Sequence, residues 1–237
     1  MSALCSGTDA QLRSLSGIEL FQDLPPEELE SIARRCHWRR FVAGQDIINQ
    51  DDRNRDVFFI LTGAVRVILY SPTGKQVNLR DLGRGETFGE LAAIDGEPRS
   101  ANVSALSESV LAALPSETFW QILREHPAVA ARALKRLARL VRQLSERVYE
   151  FSTLAVRDRL YTELLRMAAN HREADGSALI VPAPTHADLA SRISTHREAV
   201  TRELGRLSRE GIVQRRRNAL AISNLDRLAQ LCGDAED

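Results

Sequence analysis

The residues best equipped for chemistry lie in one run, Gly85-Glu86-Thr87-Phe88-Gly89-Glu90-Leu91-Ala92-Ala93-Ile94-Asp95-Gly96-Glu97-Pro98-Arg99-Ser100-Ala101. Arg99 offers a planar fork of donors with a permanent charge, which suits a bound anion. Ser100 adds a hydroxyl donor beside it. Backbone N–H groups in a short helix near Leu91 and Ala92 would point at that anion. Gly89 has no Cβ and lets the backbone come close. Glu90 can accept from a sugar hydroxyl, as an acid does in dinucleotide sites, and Arg99 lies nearby to compensate its burial. An ordinary Gly-rich turn carrying a surface Glu–Arg pair is the plain alternative.

A second set of residues sits near the C-terminus. Between Thr185 and Ile222 there are eight arginines and no lysine, against four acids, Asp188, Glu198, Glu203 and Glu210, so the segment carries 8 − 4 = +4 in a chain of zero net charge. Such a segment suits a phosphate backbone. Its pattern is helix-turn-helix. Thr185 caps the first helix with Asp188 three residues on, and Ser194 or Thr195 is expected to cap the second. Leu189, Ala190, Ile193, Val200 and Leu204 supply apolar contacts between the helices. Arg197, Glu198 and Arg202 fall on the outward side near the start of the second helix, where base edges are read. Arginine suits guanine O6 and N7, and glutamate accepts from cytosine N4. Gly211 to Gln214 and Arg215 to Ile222 read as a β-hairpin wing. Its cluster Arg215-Arg216-Arg217 is placed for phosphates.

Other chemistries find little support. The five histidines show no metal-ligand spacing, and no nucleophile sits in a catalytic motif. Neither an enzyme nor a metal site is expected. Cys5, Cys36 and Cys232 lie far apart and read as free thiols. No apolar run reaches the length of a membrane span, and Met1 to Leu12 lacks the pattern of a signal peptide. A cytoplasmic protein is expected.

These residues need elements to position them. The chain has 237 residues, 43% hydrophobic and 27% charged, enough for two modest domains. Ile18 to Arg35 reads as a helical lead-in. From Trp38 to Leu114 short apolar or alternating runs recur: Val57 to Leu61, Val65 to Leu69, Gln76 to Leu82, Ala101 to Ala105 and Val110 to Leu114. Turns such as Thr62-Gly63, Ser71 to Gly74 and Gly83 to Gly85 separate them, so a jelly-roll β-barrel is expected. A helical segment without Gly or Pro then runs from about Ala128 to about Asn170. Ala130, Leu134, Leu137, Val141, Leu144, Val148, Phe151 and Ala155 advance by steps of 4 and 3. That is a coiled-coil seam, flanked by Arg132, Arg136, Arg139 and Arg142, and a narrow dry stripe suits a partner helix. The predicted class is α+β, with a barrel over 17–127, a dimerisation helix over 128–152 and a winged helix-turn-helix over 153–230. Gly233 to Asp237 reads as a frayed acidic end.

The Gly85–Ala101 run closely resembles the phosphate-binding cassette of cyclic-nucleotide-binding domains. Cassette, seam helix and winged helix-turn-helix, in that order, resemble the CRP/FNR family of bacterial regulators. The resemblance implies a homodimer that binds a pseudo-palindromic operator in double-stranded DNA under the control of a cyclic nucleotide. Arg99, Ser100, Gly89, Leu91 and Ala92 would serve the phosphate and Glu90 the ribose. Val67, Leu79 and Phe88 match apolar positions lining the nucleotide pocket. Thr185, Thr195, His196, Arg197, Glu198 and Arg202 match DNA-contacting positions, and the loop His171 to Ser177 matches one that touches RNA polymerase. An iron–sulfur cluster is not expected, because only Cys5 precedes Cys36, and neither is haem. Two departures fall at the base end. Leu144, beside Ser145, stands where cyclic-AMP sensors of the family carry threonine, and Leu140 stands for an arginine. Cyclic AMP is the first expectation, with cyclic GMP its rival. A sensor domain that takes another small molecule, or none, is the alternative.

Overall fold

A computed structural model of the chain describes residues 14–71, 74 and 76–232. The expectations for Met1 to Leu12, for Cys5, for Pro72 and Thr73 of the expected turn, and for the acidic end lie outside the described residues. Two compact units divide the chain, Met1–Leu140 and Val141–Asp237.

The first unit opens with a 3-10 turn at Glu19–Phe21 and helix α1 (Pro26–Ala33), which has Pro26 at its first position and Glu27 and Glu28 in its first turn. Both features suit a helix N-terminus. Eight strands follow: β1 (His37–Phe41), β2 (Asp46–Ile48), β3 (Val57–Thr62), β4 (Val65–Tyr70), β5 (Gln76–Leu82), β6 (Thr87–Phe88), β7 (Asn102–Ala105) and β8 (Ser109–Leu114). They form two antiparallel sheets, ordered β1-β8-β3-β6 and β2-β7-β4-β5. This is the jelly-roll arrangement expected from the runs and turns.

The continuous apolar run in β3 reflects cover on both faces. Phe58 and Ile60 join Val65, Leu82, Phe88, Val103 and Leu111 in one core cluster. Val57, Phe59 and Leu61 join the helical residues Phe119, Ile122 and Val129, with Phe21, in another. Each such fully buried side chain contributes about 1.5–3 kcal/mol of transfer free energy. Helix α2 (Glu90–Asp95) interrupts the strands between β6 and β7, and α3 (Ser116–Glu125) follows β8. Trp120 of α3 donates to the carbonyl of Ala93 at 2.8 Å, which ties α3 to α2.

Helix α4 (Pro127–Thr153) carries the row Ala130 to Phe151 that reads as a seam. Leu134, Val141 and Val148 are 67%, 63% and 65% exposed, and Leu144 and Phe151 are also exposed. The unbroken helical run to Asn170 is not found. The chain leaves the helix at Leu154, and Ala155 is extended, so Ala155 falls outside the seam helix. Neither Gly nor Pro causes the break. Ser152 and Thr153 instead donate their hydroxyls to the carbonyls of Val148 and Tyr149, both at 2.8 Å. Such back-bonding weakens and bends helices.

The second unit continues with α5 (Val156–Ala168), β9 (Ala178–Ile180), α6 (His186–Arg192), α7 (Arg197–Arg209), β10 (Val213–Arg216), β11 (Ala219–Ile222) and α8 (Leu225–Gln230). The strands form a sheet ordered β10-β11-β9. Its core gathers Leu160, Tyr161 and Leu164 of α5, Leu189 of α6, Val200, Leu204 and Leu207 of α7, and Leu220 and Ile222 of β11. Among the described residues no helix is long and apolar enough to cross a membrane.

Candidate ligand pocket and nucleic-acid interface

Arg99 is 3% exposed and is held from several sides. Its Nη1 donates to the carbonyl of Gly89 at 2.8 Å. Its Nη2 donates to Asn54 Oδ1 at 3.0 Å and to the Asp56 carbonyl at 2.7 Å. Its backbone pairs with Asp51 and Asp52, each at 3.0 Å. The guanidinium carbon lies 5.8 Å from the Phe58 ring centroid, and Phe58 stacks on Phe88 at 5.0 Å. Burial draws the Arg99 pKa below its ordinary value, while Asp56, Asp52 and Glu90 act against that. The side-chain bonds use three of its five N–H donors, and Arg99 Nε is buried with no hydrogen-bond partner among the described residues. A permanently charged group with a spare buried donor fits an anion.

Gly89 caps α2 with φ +80°, a backbone conformation that L side chains rarely adopt. A Cβ there would lie 2.6 Å from Arg99 Nη1 and 3.0 Å from the Asp56 carbonyl. No side chain caps the helix start, so the amides that follow Gly89 are not claimed from that end. Glu90 is buried at 6% exposure, whereas Ser100 is exposed. Val67 and Phe88 are buried in the core between the sheets, and Leu79 packs against it half-buried. Leu144 and Ser145 belong to the second unit, where Ser145 donates to the Val141 carbonyl of its own helix at 3.0 Å.

Asn54 and Asp56, which position Arg99, were not expected from the sequence. Nor was Arg80, which also holds charge near Glu90. Arg80 lies opposite Val67 in the β4–β5 ladder. Burial lowers its pKa, Arg136 lowers it further, and Glu90 and Glu86 raise it. Arg136 donates to the Thr87 carbonyl. A register shift between Val67 and Ile68 hides Arg80 from simple alternation, because the pairing skips Leu79.

In the second unit the capping box at Thr185 is complete. Asp188 N–H donates to Thr185 Oγ1 at 3.0 Å and Thr185 N–H to Asp188 Oδ2 at 3.3 Å. The cap expected at Ser194 or Thr195 is not found. Ser194 takes φ 54°, Thr195 N–H donates back to the Ala190 carbonyl at 2.9 Å, and His196 holds the N-cap position of α7 without a side-chain bond. The tight turn uses these residues to close α6 rather than to start α7. His196, Arg197, Glu198 and Arg202 are exposed on α7, opposite buried Val200 and Leu204. Arg197 and Arg215 both depress the His186 pKa, after burial, so α7 and the wing share one cationic face.

Two of the eight arginines have other work. Arg206 bonds Tyr161 and pairs with Glu203 at 3.3 Å and Glu210 at 3.0 Å. Arg192 is buried and pairs with Glu163 at 3.3 Å. Glu163 also takes Arg147 of α4 at 2.9 Å and Arg166, and Arg166 takes Glu150. This network fixes α4, α5 and α6 to one another within the unit. The cationic face is left to Arg197, Arg202, Arg209, Arg215, Arg216 and Arg217, all exposed. Cys36 is buried and its pKa is pushed up to about 12 by that burial; Cys36 and Cys232 are both free thiols.

The chain matches a cyclic nucleotide-binding domain over residues 38–126 and a Crp-like helix-turn-helix domain over residues 158–231. The Cyclic AMP receptor protein of Thermus thermophilus is 30% identical over 200 residues, 84% of this chain and 90% of that one. The CRP-like cAMP-activated global transcriptional regulator of Mycobacterium tuberculosis is 22% identical over 212 residues, 89% of this chain and 95% of that one. A solved CooA mutant from Carboxydothermus hydrogenoformans aligns with a TM-score of 0.78 at 20% identity, covering 94% of this chain and 99% of that one, a likeness of fold. The chain belongs to the CRP/FNR family of DNA-binding transcription regulators.

Proposed function

We propose that this regulator is a cytoplasmic homodimer in which a cyclic nucleotide bound in the barrel controls binding to a pseudo-palindromic operator. The working parts are a ligand domain over 17–127, a dimerisation helix over 128–152 and a DNA-binding domain over 153–230. The observation that carries the ligand half is Arg99, buried, braced by Gly89, Asn54 and Asp56, with Nε unclaimed. Arg99 and Ser100 would hold the cyclic phosphate with the Leu91 and Ala92 amides, and Glu90 the ribose hydroxyl. Val67, Leu79 and Phe88 would supply apolar wall. Two relatives are named for cyclic AMP, which supports a cyclic purine nucleotide as the ligand class.

The exposed row Leu134, Val141, Leu144 and Val148 supports pairing with a second copy. Arg197, Glu198 and Arg202 would read base edges. Thr185, Thr195, His196 and the wing arginines would meet phosphates, and the His171–Ser177 loop would meet RNA polymerase. The test is operator binding, and calorimetric binding, with no ligand, cyclic AMP and cyclic GMP. Tighter operator binding with a nucleotide supports the reading. Silence from both nucleotides at millimolar levels overturns it. Leu140 and Leu144 favour a second reading, in which the barrel takes another small molecule or none; equal operator affinity under every condition would support that one.

A further inference from the structure

We infer that Arg80 and Arg136 read the base of the nucleotide and select guanine over adenine, an assignment that rests on the nucleotide reading above. Arg80 pairs directly with the buried core residue Val67 across the β4–β5 ladder, so it faces the interior of the barrel. Asp81, on the other face, pairs with Arg66 at 2.7 Å. Arg136 reaches in from α4 and donates through Nη2 to the carbonyl of Thr87, two residues before Gly89. Its Nε is buried and has no partner. The charges of Arg136, Glu90 and Glu86 all act on Arg80, so these groups lie near one another.

The charges there balance, but the hydrogen bonds do not. Among the described residues Glu90 and Glu86 oppose the charges of Arg80 and Arg136, yet Glu86 already accepts the Gly83 N–H at 2.7 Å and the buried Arg136 Nε has no hydrogen-bond partner. Arg99 is braced separately by Asn54 and the Gly89 and Asp56 carbonyls, and its spare donor serves the phosphate in the reading above. The half-buried Arg80 and Arg136 then have donors to offer a further acceptor, since a buried donor left without a partner is costly. With Glu90 at the ribose, the next part of the ligand is the base. Guanine presents O6 and N7 as adjacent acceptors, which match an arginine fork; adenine replaces O6 with an amino donor that opposes it. Leu140, one turn beyond Arg136 on α4, offers no polar group to an adenine amine.

The test is calorimetric titration of the full-length protein with cyclic GMP, cyclic IMP and cyclic AMP at one pH and salt concentration. Cyclic IMP keeps O6 and N7 and lacks the 2-amino group. Cyclic GMP and cyclic IMP are expected to bind about ten- to a hundredfold tighter than cyclic AMP. Arg80→Ala and Arg136→Ala are each expected to bring that ratio toward one. Tryptophan fluorescence checks that the variants fold; if either alanine variant does not, Arg80→Gln or Arg136→Gln replaces it and is read in the same way. Cyclic AMP binding as tightly as cyclic GMP overturns the base assignment and leaves the nucleotide reading standing. Tight cyclic GMP with weak cyclic IMP overturns reading through O6 and N7. A preference unchanged in both variants overturns the role of the arginines. Silence from all three nucleotides overturns the nucleotide reading as well.

Discussion

Replacing Gly89 by alanine separates backbone strain from the bracing of Arg99. Gly89 has φ +80°, and the new Cβ would sit 2.6 Å from Arg99 Nη1 and 3.0 Å from the Asp56 carbonyl. The left-handed conformation alone costs about 1–2 kcal/mol for a residue with a Cβ. Arg99 cannot yield freely, because Nη1 and Nη2 are bonded to Gly89, Asn54 and Asp56. Losing one of these charged hydrogen bonds costs roughly 1.5–3 kcal/mol. Gly89→Ala should therefore destabilise the first unit by about 2.5–5 kcal/mol. Gly44→Ala is the control: its φ is +82°, yet a Cβ there meets nothing within 4 Å. It should cost only the strain, about 1–2 kcal/mol. Urea unfolding followed by tryptophan fluorescence measures both, because the chain's 2 tryptophans, Trp38 and Trp120, both lie in the first unit. A difference between the variants below about 0.5 kcal/mol refutes the bracing of Arg99, since it is far under the cost of one charged hydrogen bond.

Three further outcomes are expected. Glu163→Ala leaves Arg147, Arg166 and Arg192 with only Glu150 to oppose them in their network, and should destabilise the second unit by about 3–5 kcal/mol in thermal unfolding; a loss under 1 kcal/mol contradicts the network's role. Arg202→Ala should cost about 1–3 kcal/mol of discrimination at one base pair per half-site, while Arg216→Ala should weaken all sequences alike and lower the salt slope by about one; the reverse pattern exchanges their roles. Cys36, with its pKa raised by burial to about 12, stays protonated at pH 8, so folded protein should alkylate there far more slowly than urea-unfolded protein, with equal rates counting against the buried thiol.

The ligand-binding domain was legible because its candidate groups are local: Gly89, Glu90, Arg99 and Ser100 lie within one short stretch of chain. The helix-turn-helix was legible for the same reason, since Thr185 and Asp188 cap within one turn. Strands β3 and β8 announced themselves as apolar runs, whereas β1, with two arginines in five residues, did not. Arg99's brace was hidden because Asn54 and Asp56 are more than forty positions away and arrive through the loop before β3. Arg80 was hidden by the bulge in the β4–β5 ladder, which turns an outward-looking alternation inward. Ending α4 at Thr153 required hydroxyls whose bonds to the preceding turn leave no mark on apolar periodicity.

The division of labour among the C-terminal arginines has an evolutionary consequence. Arg192 and Arg206 are committed to Glu163 and to the Tyr161–Glu203–Glu210 cluster, and changing either disturbs the frame. Arg197, Glu198 and Arg202 project from the exposed side of α7, away from the core residues Val200 and Leu204. Substitutions at these three positions spare the core, and exposed sites of this kind usually change stability by no more than about 0.5 kcal/mol. With the base-reading role proposed for these three residues, target preference is free to change through a few point substitutions while the scaffold stands still.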